Sequence, residues 1–309
     1  MLSGRIVRTQ SGFFTVETGD GRRWVCRLRG RLKRGPKTGD IAALGDMVQF
    51  SAVDDETGQI EAVLPRKRAL VRLAPMPRGT YRQVIVANPD QVLLVFACDS
   101  PAPRFGMLDR FLVIAEKQGI PAVVVANKVD LVGEARAREM FVVYERLGYP
   151  VIYTAVPQAL GVEALSARLV GRLSALAGPS GVGKSSLLNA IQPGLGLAVS
   201  HISEATQKGR HTTVVRALFP VAGGGFVADT PGIKSLGLWD IEPEELDGYF
   251  PEMRDLVSLC AYNDCAHLDE PGCAVRAALA RGEISPGRYR SYLRMRLGGA
   301  AEDLEDDVD

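Results

Sequence analysis

Residues 178–185 read Gly178-Pro179-Ser180-Gly181-Val182-Gly183-Lys184-Ser185, a full match to the phosphate-loop pattern GxxxxGK[ST]. The loop follows the apolar segment Leu173–Ala177 and precedes a helical pattern that starts at Ser186, itself a predicted nucleotide contact. Glycines in such a loop let consecutive backbone N–H groups face a polyphosphate, and the helix N-terminus adds its dipole. The pattern therefore predicts a P-loop domain, with Lys184 on the β- and γ-phosphates and Ser185 on Mg²⁺.

On both sides of this loop, apolar segments of strand length alternate with amphipathic segments of helical length. The predicted strands are Val92–Cys98, Ala122–Ala126, Val151–Thr154, Leu173–Ala177, Val214–Phe219 and Phe226–Asp229. The predicted helices between them are Leu108–Gln118, Glu134–Leu147 and Val162–Arg172. This alternation is typical of an α/β domain with a mainly parallel sheet, which we assign to residues 65–240. Residues 66–90, which contain prolines, a glycine and several arginines, are interpreted as a connector.

Residues 1–64 have a different pattern, in which short strands are separated by glycine turns. The predicted strands are Phe13–Val16, Trp24–Leu28, Met47–Phe50 and Ile60–Val63. Short strands at this spacing predict a small β-barrel of the five-stranded OB type, whose strand face and loops commonly bind nucleic acid.

The formal net charge of +1 conceals an asymmetry along the chain. Residues 1–85 contain 16 Lys and Arg against 8 Asp and Glu, a balance of +8, so the remaining residues sum to −7. The basic cluster of the barrel surrounds Trp24 and consists of Arg22, Arg23, Arg27, Arg29, Arg31, Lys33 and Arg34. Basic residues around an aromatic ring suit a surface that binds nucleic-acid phosphates, and an ordinary solvated surface is the alternative.

Three further motifs follow predicted strands. Asp229-Thr230-Pro231-Gly232 offers a carboxylate that can hold Mg²⁺ through water and, at Gly232, an N–H for the γ-phosphate. Asn127-Lys128-Val129-Asp130 offers the Asp130 carboxylate to the N1–H and 2-amino group of guanine, while Asn127 and Lys128 hold the loop and pack the base. Thr154-Ala155 offers a backbone N–H to the guanine carbonyl. Together these motifs predict selectivity for GTP and disfavour an ATPase.

A cluster of cysteine and histidine residues lies near the C-terminus. Cys260, Cys265, His267 and Cys273 have the spacing Cys-x4-Cys-x-His-x5-Cys. Three thiolates and one imidazole can close a tetrahedral site with no open position, which predicts one structural Zn²⁺. Buried cysteines without a metal are the alternative. Cys26 and Cys98 lie in strand patterns and are interpreted as buried core thiols.

The order of the motifs is unusual, because Asn127–Asp130 and Thr154-Ala155 precede the P-loop, whereas ordinary GTPases place them after it. This permuted order, the N-terminal barrel and the C-terminal zinc ligands resemble the RsgA (YjeQ) family of circularly permuted small ribosomal subunit biogenesis GTPases. The resemblance extends over residues 3–297 and implies a multidomain protein: an OB-type barrel at 1–64, a circularly permuted P-loop GTPase domain at 65–240, and a mainly helical zinc-binding domain at 241–309.

The resemblance also implies an activity. It implies a Mg²⁺-dependent GTP hydrolase acting late in 30S maturation, stimulated by the small ribosomal subunit and released on hydrolysis, with rRNA and GTP or GDP as partners. It implies a switch over 194–213, in which Thr212 or Thr213 contacts the γ-phosphate and Thr213 binds Mg²⁺ beside Ser185 and Asp229. Ile233 stands where Ras-like proteins have the water-orienting glutamine, so slow intrinsic hydrolysis is expected.

Two alternatives concern the chemistry. His211 is the candidate to replace the missing glutamine, beside Lys184, Thr212 and Thr213 as the other candidate catalytic residues; an exposed loop histidine without a role is the alternative. A different class of function is an rRNA-binding assembly protein that keeps guanine nucleotide as a structural ligand with negligible turnover. Ile233, in place of the water-orienting glutamine, keeps that hypothesis open.

The remaining features concern location and the C-terminus. The longest apolar runs have the length of strands and the N-terminus has no apolar signal region, so we expect a cytoplasmic monomer without a membrane partner. A helix predicted to start at Ser285-Pro286 carries Arg288, Arg290, Arg294 and Arg296 with Tyr289 and Tyr292, which is interpreted as a second rRNA contact or a solvated face. No function is assigned to the acidic tail after Gly299.

Overall fold

The computed structural model describes residues 1–34, 39–76, 79–193, 216–229 and 241–298. Its strands are β1 (Leu2–Gln10), β2 (Phe13–Thr18), β3 (Arg23–Leu28), β4 (Met47–Ala52), β5 (Thr57–Val63), β6 (Ala69–Met76), β7 (Gly79–Ala87), β8 (Gln91–Ala97), β9 (Ala122–Asn127), β10 (Val151–Thr154), β11 (Leu173–Ala177), β12 (Arg216–Pro220) and β13 (Phe226–Asp229). Its α-helices are α1 (Phe105–Lys117), α2 (Glu134–Arg146), α3 (Val162–Leu169), α4 (Lys184–Ile191), α5 (Pro251–Arg254), α6 (Ala274–Ala280) and α7 (Pro286–Leu297). None of the helices in these ranges has the length and apolar character needed to cross a bilayer.

The N-terminal strands form the predicted closed barrel. β1 pairs with both β2 and β4, β2 pairs with β3, and β5 joins β3 to β4, which closes the five-stranded ring. Alternate side chains fill its interior, among them Val16, Trp24 and Phe50. The sequence patterns missed β1, whose arginines interrupt any apolar run. At Gly4 in this strand a Cβ would lie 2.6 Å from the Glu17 carbonyl oxygen, so the close pairing of β1 with β2 requires glycine.

The central domain has the predicted α/β sheet, with strand order β10-β9-β8-β11-β13-β12. β10, β9, β8, β11 and β13 are parallel, and β12 is antiparallel to β13. β8, β9 and β11 are buried along their whole length, as expected for strands covered on both faces. Because the five parallel strands point the same way, the loops that follow them meet at one edge of the sheet.

The barrel is joined to this sheet by direct strand pairing. β12 continues antiparallel to β1, with Arg8 opposite Ala217 and Thr9 opposite Arg216, so the two domains share one eleven-stranded sheet. Arg66 reinforces the junction by donating two hydrogen bonds of 2.8 Å to the buried Asp46 carboxylate.

The interpretation of residues 66–90 as a connector was wrong. β6 and β7 form an antiparallel hairpin from Ala69 opposite Ala87 to Met76 opposite Gly79. Leu70 and Val86 bury their side chains against the core of the central domain. The prolines and arginines suggested a linker, but the alternating apolar residues of a half-buried hairpin determine the structure.

The interpretation of α7 as a basic face was also wrong in part. Arg288 is 2% exposed and donates to Asp109 of α1 and to Glu252 of α5, both at 2.7 Å. Burial opposes the charge of this guanidinium, but the two carboxylates outweigh it and raise the pKa of Arg288. Tyr292 is buried as well, whereas Arg290 is exposed. α7 therefore attaches the C-terminal helices to the central domain through a buried ion-pair network.

Replacing Arg288 should destabilise the protein strongly. Arg288→Ala leaves the Asp109 carboxylate buried without its cation, which costs about 3–5 kcal/mol in the free energy of unfolding. Urea denaturation measures this cost, and Arg290→Ala on the exposed side of the same helix is the matched control. Equal unfolding free energies for the two variants would show that the buried network contributes little.

Candidate nucleotide and metal sites

The parallel sheet brings the predicted nucleotide motifs together at its carboxyl edge. β11 ends at the P-loop, β9 ends at Asn127, and β10 ends at Thr154. The register aligns these ends, with Asn127 opposite both Ala97 of β8 and Thr154 of β10. Motifs that lie far apart in the sequence therefore share one surface of the molecule.

One buried side-chain amide connects three of these loops. Asn127 Nδ2 donates to the carbonyl oxygen of Val182 in the P-loop at 2.8 Å, and Asn127 Oδ1 accepts from the Thr154 hydroxyl at 2.9 Å. A Cβ at Gly183 would lie 2.4 Å from Asn127 Nδ2, and Gly183 has φ +94°. Glycine is thus required at this position both by its backbone conformation and by the approach of Asn127.

The P-loop has the conformation that its glycines allow. Gly181 has φ +80°, and α4 starts at Lys184 directly after Gly183. Lys184 Nζ donates to the carbonyl oxygens of Gly178 at 2.9 Å and Pro179 at 2.6 Å. The ammonium group therefore lies over the loop beside the amino end of α4, where a helix dipole and backbone N–H groups favour an anion.

Asp130 has a carboxylate oxygen without a partner. Among the side chains that the structure describes, its Oδ1 is the one buried nitrogen or oxygen atom that makes no hydrogen bond. A buried acceptor left unpaired costs free energy, so a hydrogen-bond donor from outside the protein would stabilise this position.

Burial, with a smaller contribution from the Asp130 carboxylate, raises the pKa of the neighbouring Cys98 thiol to about 11. Cys98 is buried, as the sequence predicted.

Three further residues of the predicted nucleotide site, Lys128, Val129 and Ala155, each make a different kind of contact within the protein. Lys128 adopts φ +59° and its ammonium donates to the Ser100 carbonyl oxygen, a contact that no sequence motif marks. Val129 is buried in the core of the domain, so it anchors the loop. The Ala155 N–H donates to the Leu160 carbonyl oxygen at 3.0 Å, and the contact of Thr154-Ala155 with guanine stays a prediction.

Several predicted residues cannot be placed in this site. His211, Thr212 and Thr213, with the rest of the switch at 194–213, lie outside the described residues, as does Gly232. The backbone of Asp229 ends β13 opposite Leu176, one residue before the end of β11, which puts it at the same edge of the sheet as the P-loop.

The cysteine and histidine cluster forms one compact group. The four ligand atoms of Cys260, Cys265, His267 and Cys273 all lie within 4.8 Å of one another. Cys260 Sγ lies 4.0 Å from Cys273 Sγ, and His267 Nδ1 lies 3.6 Å from Cys260 Sγ. A tetrahedral zinc ion needs edges of about 3.8 Å between sulfurs and about 3.5 Å between sulfur and nitrogen, so the group fits zinc.

The first turn of α6 supports a thiolate in this group. Burial raises the pKa of Cys260, but hydrogen bonds from the backbone N–H groups of Ala274 and Val275, together with those from the Cys265 and Cys273 thiols, outweigh it, so the pKa lies below its usual value. The Arg276 N–H lies 3.4 Å from Cys273 Sγ. Thiolates are the form of cysteine that binds zinc, so this helix end favours the charged ligands.

Family models match most of the chain. The model for the RsgA N-terminal domain matches residues 3–60, and the model for the RsgA GTPase matches residues 63–239. A relative from Gemmatimonas aurantiaca, named small ribosomal subunit biogenesis GTPase RsgA, is 47% identical over 297 residues, with 95% of this chain and 96% of the relative covered. The chain belongs to the RsgA GTPase family.

Other RsgA relatives and solved structures agree with this assignment. The RsgA of Thermotoga maritima is 42% identical over 296 residues, covering 94% of this chain and 95% of the relative. The crystal structure of YjeQ from the same organism superposes with a TM-score of 0.77 at 38% identity, covering 96% and 97% of the two chains. YloQ, described as a circularly permuted GTPase, gives a TM-score of 0.73 at 31% identity, covering 100% and 97%.

As an RsgA family member the chain is a GTP hydrolase that uses Mg²⁺ with GTP. The predictions of family, permuted fold and enzyme class are confirmed. The roles of the individual nucleotide-site residues stay predictions.

Replacing one thiol should remove the metal and leave the nucleotide site intact. Cys265→Ser loses one of four ligands, so elemental analysis should find well below half an equivalent of zinc, against about one in the parent. GTP affinity should change little, because the P-loop lies in another domain. Cys98→Ser makes the same chemical change outside the cluster and should retain zinc. Less than half an equivalent in the freshly purified parent would contradict the zinc assignment.

Proposed function

We propose that this GTP hydrolase acts late in maturation of the small ribosomal subunit, that the subunit stimulates hydrolysis, and that hydrolysis drives release. The relatives are named for small ribosomal subunit biogenesis, which supports the partner. The observation that supports guanine nucleotide as the ligand is the unpaired, buried Oδ1 of Asp130, which follows three residues after Asn127, the residue that is hydrogen-bonded to the P-loop. We place the protein in the cytoplasm with the subunit, and its monomeric state stays a prediction.

Asp130 is proposed to select guanine. Guanine presents two donors, N1–H and the 2-amino group, to one carboxylate, and Oδ1 needs such a donor. Adenine presents an unprotonated N1 at the same place, so a carboxylate there would face an acceptor. Asn127 and Thr154 support the selection indirectly, because they fix the loop that carries Asp130.

The phosphate end of the site is assigned to the P-loop with the start of α4, to Asp229 at the end of β13, and to residues of the predicted switch at 194–213. Lys184 is proposed to neutralise the β- and γ-phosphates. Ser185, Asp229 and Thr213 are proposed to hold Mg²⁺, since hydroxyl and carboxylate oxygens are the donors that this ion prefers. Mg²⁺, when bound, neutralises charge on the transferring phosphate. His211 is proposed to orient the attacking water in place of the glutamine that Ile233 replaces.

We propose domain limits of 1–64, 65–240 and 241–309, with separate roles. The closure of β1–β5 within residues 2–63 supports the first limit. The second domain holds the nucleotide motifs, and the third holds the zinc ligands and α7.

Fewer residues of the basic cluster around Trp24 are suited to an rRNA contact than the sequence suggested. Arg29 and Arg31 are paired with Glu61, so their charges are partly neutralised within the protein. Arg27 instead lies 4.2 Å over the ring of Phe13, which is 40% exposed on the neighbouring strand. An arginine over an exposed aromatic ring offers both a cation for phosphate and a face for a base. We propose this pair as the centre of the rRNA contact.

Asp130→Asn should relax selection of the base. The amide can donate to the C2 oxygen of xanthine, so xanthine nucleotides should gain, and GTP should bind about 10- to 100-fold more weakly because one guanine donor loses its partner. Titration calorimetry with GTP, XTP and ATP measures this, and Asp55→Asn on an exposed barrel loop is the control. Wild-type protein that binds ATP as tightly as GTP would contradict the assignment.

Stimulation of hydrolysis should depend on the barrel surface. Deleting residues 1–64 would also remove β1 from its pairing with β12, so a surface charge reversal is the cleaner test. Arg27→Glu should keep intrinsic phosphate release and lose most of the increase caused by purified small subunits, while Arg136→Glu, at an exposed position of α2, should keep both. Binding through phosphates should also weaken steeply with salt.

The same measurement with wild-type protein tests the proposed function. Small subunits should accelerate phosphate release, whereas large subunits and naked RNA should not. Equal stimulation of Arg27→Glu and wild type would move the rRNA contact away from this face. Phosphate release that stays negligible with small subunits would favour an assembly protein with a structural nucleotide.

A further inference from the structure

We propose that Asp247 is a positioning residue of the zinc site, which orients His267 so that its Nδ1 binds the metal. His267 is fully buried, and its Nε2 lies 3.0 Å from Asp247 Oδ2. Asp247 is itself buried and lies 20 residues earlier, outside the Cys-x4-Cys-x-His-x5-Cys motif. No feature of the sequence connects it with the metal.

The two ring nitrogens of His267 face different chemistry. Nδ1 faces the thiol sulfurs of Cys273 at 3.4 Å and Cys260 at 3.6 Å. A neutral imidazole carries one N–H, and a carboxylate can only accept, so the proton belongs on Nε2 beside Asp247. The lone pair then lies on Nδ1, which is the nitrogen that faces the metal position. A carboxylate on the outer nitrogen also makes the imidazole a better donor to the metal.

The surroundings hold this arrangement in one orientation. The Tyr289 hydroxyl donates to the His267 carbonyl oxygen, and the Tyr292 ring centroid lies 5.9 Å from the imidazole. Asp247 belongs to the 3-10 turn Pro243–Tyr249, which is anchored to α1 by a Glu245–Lys117 ion pair of 2.6 Å. The carboxylate is therefore supplied by a turn fixed on the GTPase domain, and the zinc site joins that turn to the cysteine loop.

Zinc release tests the proposal without using hydrolysis, so its outcome is separate from that of the proposed function. Asp247→Asn keeps the shape of the side chain and removes its charge. Transfer of zinc to a chromogenic chelator should become about 10- to 100-fold faster, the usual effect of losing such a partner. Asp255→Asn, at an exposed acid of the same domain, should stay within about twofold of the parent. Equal release rates from Asp247→Asn and the parent would overturn the proposal.

The same substitution made in a His267→Cys variant distinguishes a residue that positions the imidazole from one that only supports the fold. His267→Cys converts the group to four cysteines, so Asp247 has no imidazole to orient. Adding Asp247→Asn to the His267→Cys protein should change the rate of zinc release by less than about twofold. The four proteins form a double-mutant cycle, which isolates the coupling between Asp247 and His267. An acceleration as large as that in the parent background would mean that Asp247 only supports the fold, which overturns the proposal.

Nuclear magnetic resonance of the wild type keeps the proposal testable if a variant fails to fold. The chain has three histidines, so ring ¹⁵N signals of the zinc-loaded protein can be assigned. The proposal requires a protonated Nε2 and a metal-bound Nδ1 in His267. A protonated Nδ1 would overturn it.

Discussion

The hydrogen bonds of the Asn127 amide hold the nucleotide site together. The side chain is buried, and it uses its donor on the P-loop and its acceptor on the end of β10. A buried amide that is hydrogen-bonded through both its nitrogen and its oxygen favours one arrangement, because a shift leaves a polar group unpaired. The loop that carries Asp130 is thereby fixed relative to the loop that holds Lys184. The residues proposed for base recognition and those proposed for phosphate binding are joined through this contact.

The hydrogen bonds of Asn127 require that the three loops lie close together in the fold. They do not require any particular order of these loops along the chain. The base-recognition motifs precede the P-loop in this sequence, yet the parallel strands return their ends to the same edge. The additional domains are attached on other sides of the sheet: the barrel through the pairing of β1 with β12, and the zinc domain through Arg288 and its carboxylates. The permuted chain thus keeps the predicted nucleotide motifs at one edge of the sheet while the additional domains are attached elsewhere.

The sequence predicted the features that depend on local pattern. The P-loop, the Asn127–Asp130 motif and the zinc ligands each have a fixed spacing, and the buried strands β8, β9 and β11 are continuous apolar runs. Features that depend on distant partners were missed. Arg288 looks like a surface residue until Asp109 and Glu252 surround it. β1 has no apolar run because arginines flank its buried Ile6 and Val7, so only its pairing with β2 and β4 shows that it is a strand. Asp247 lies outside the zinc motif, so only the folded chain brings it to His267.

The affinity of Asn127→Ala for GDP tests most directly whether this amide unites the site. Removing it takes the side-chain partner from the Val182 carbonyl and leaves the Thr154 hydroxyl only its 3.5 Å contact with the Ala126 carbonyl, which loosens the join between the loops at a cost of about 2 kcal/mol or more. Titration calorimetry with GDP and Mg²⁺ should therefore give binding at least about 30-fold weaker than in the parent, with zinc content and far-ultraviolet circular dichroism unchanged. Asn127→Ala protein that binds GDP as tightly as the parent would contradict the central role of this contact.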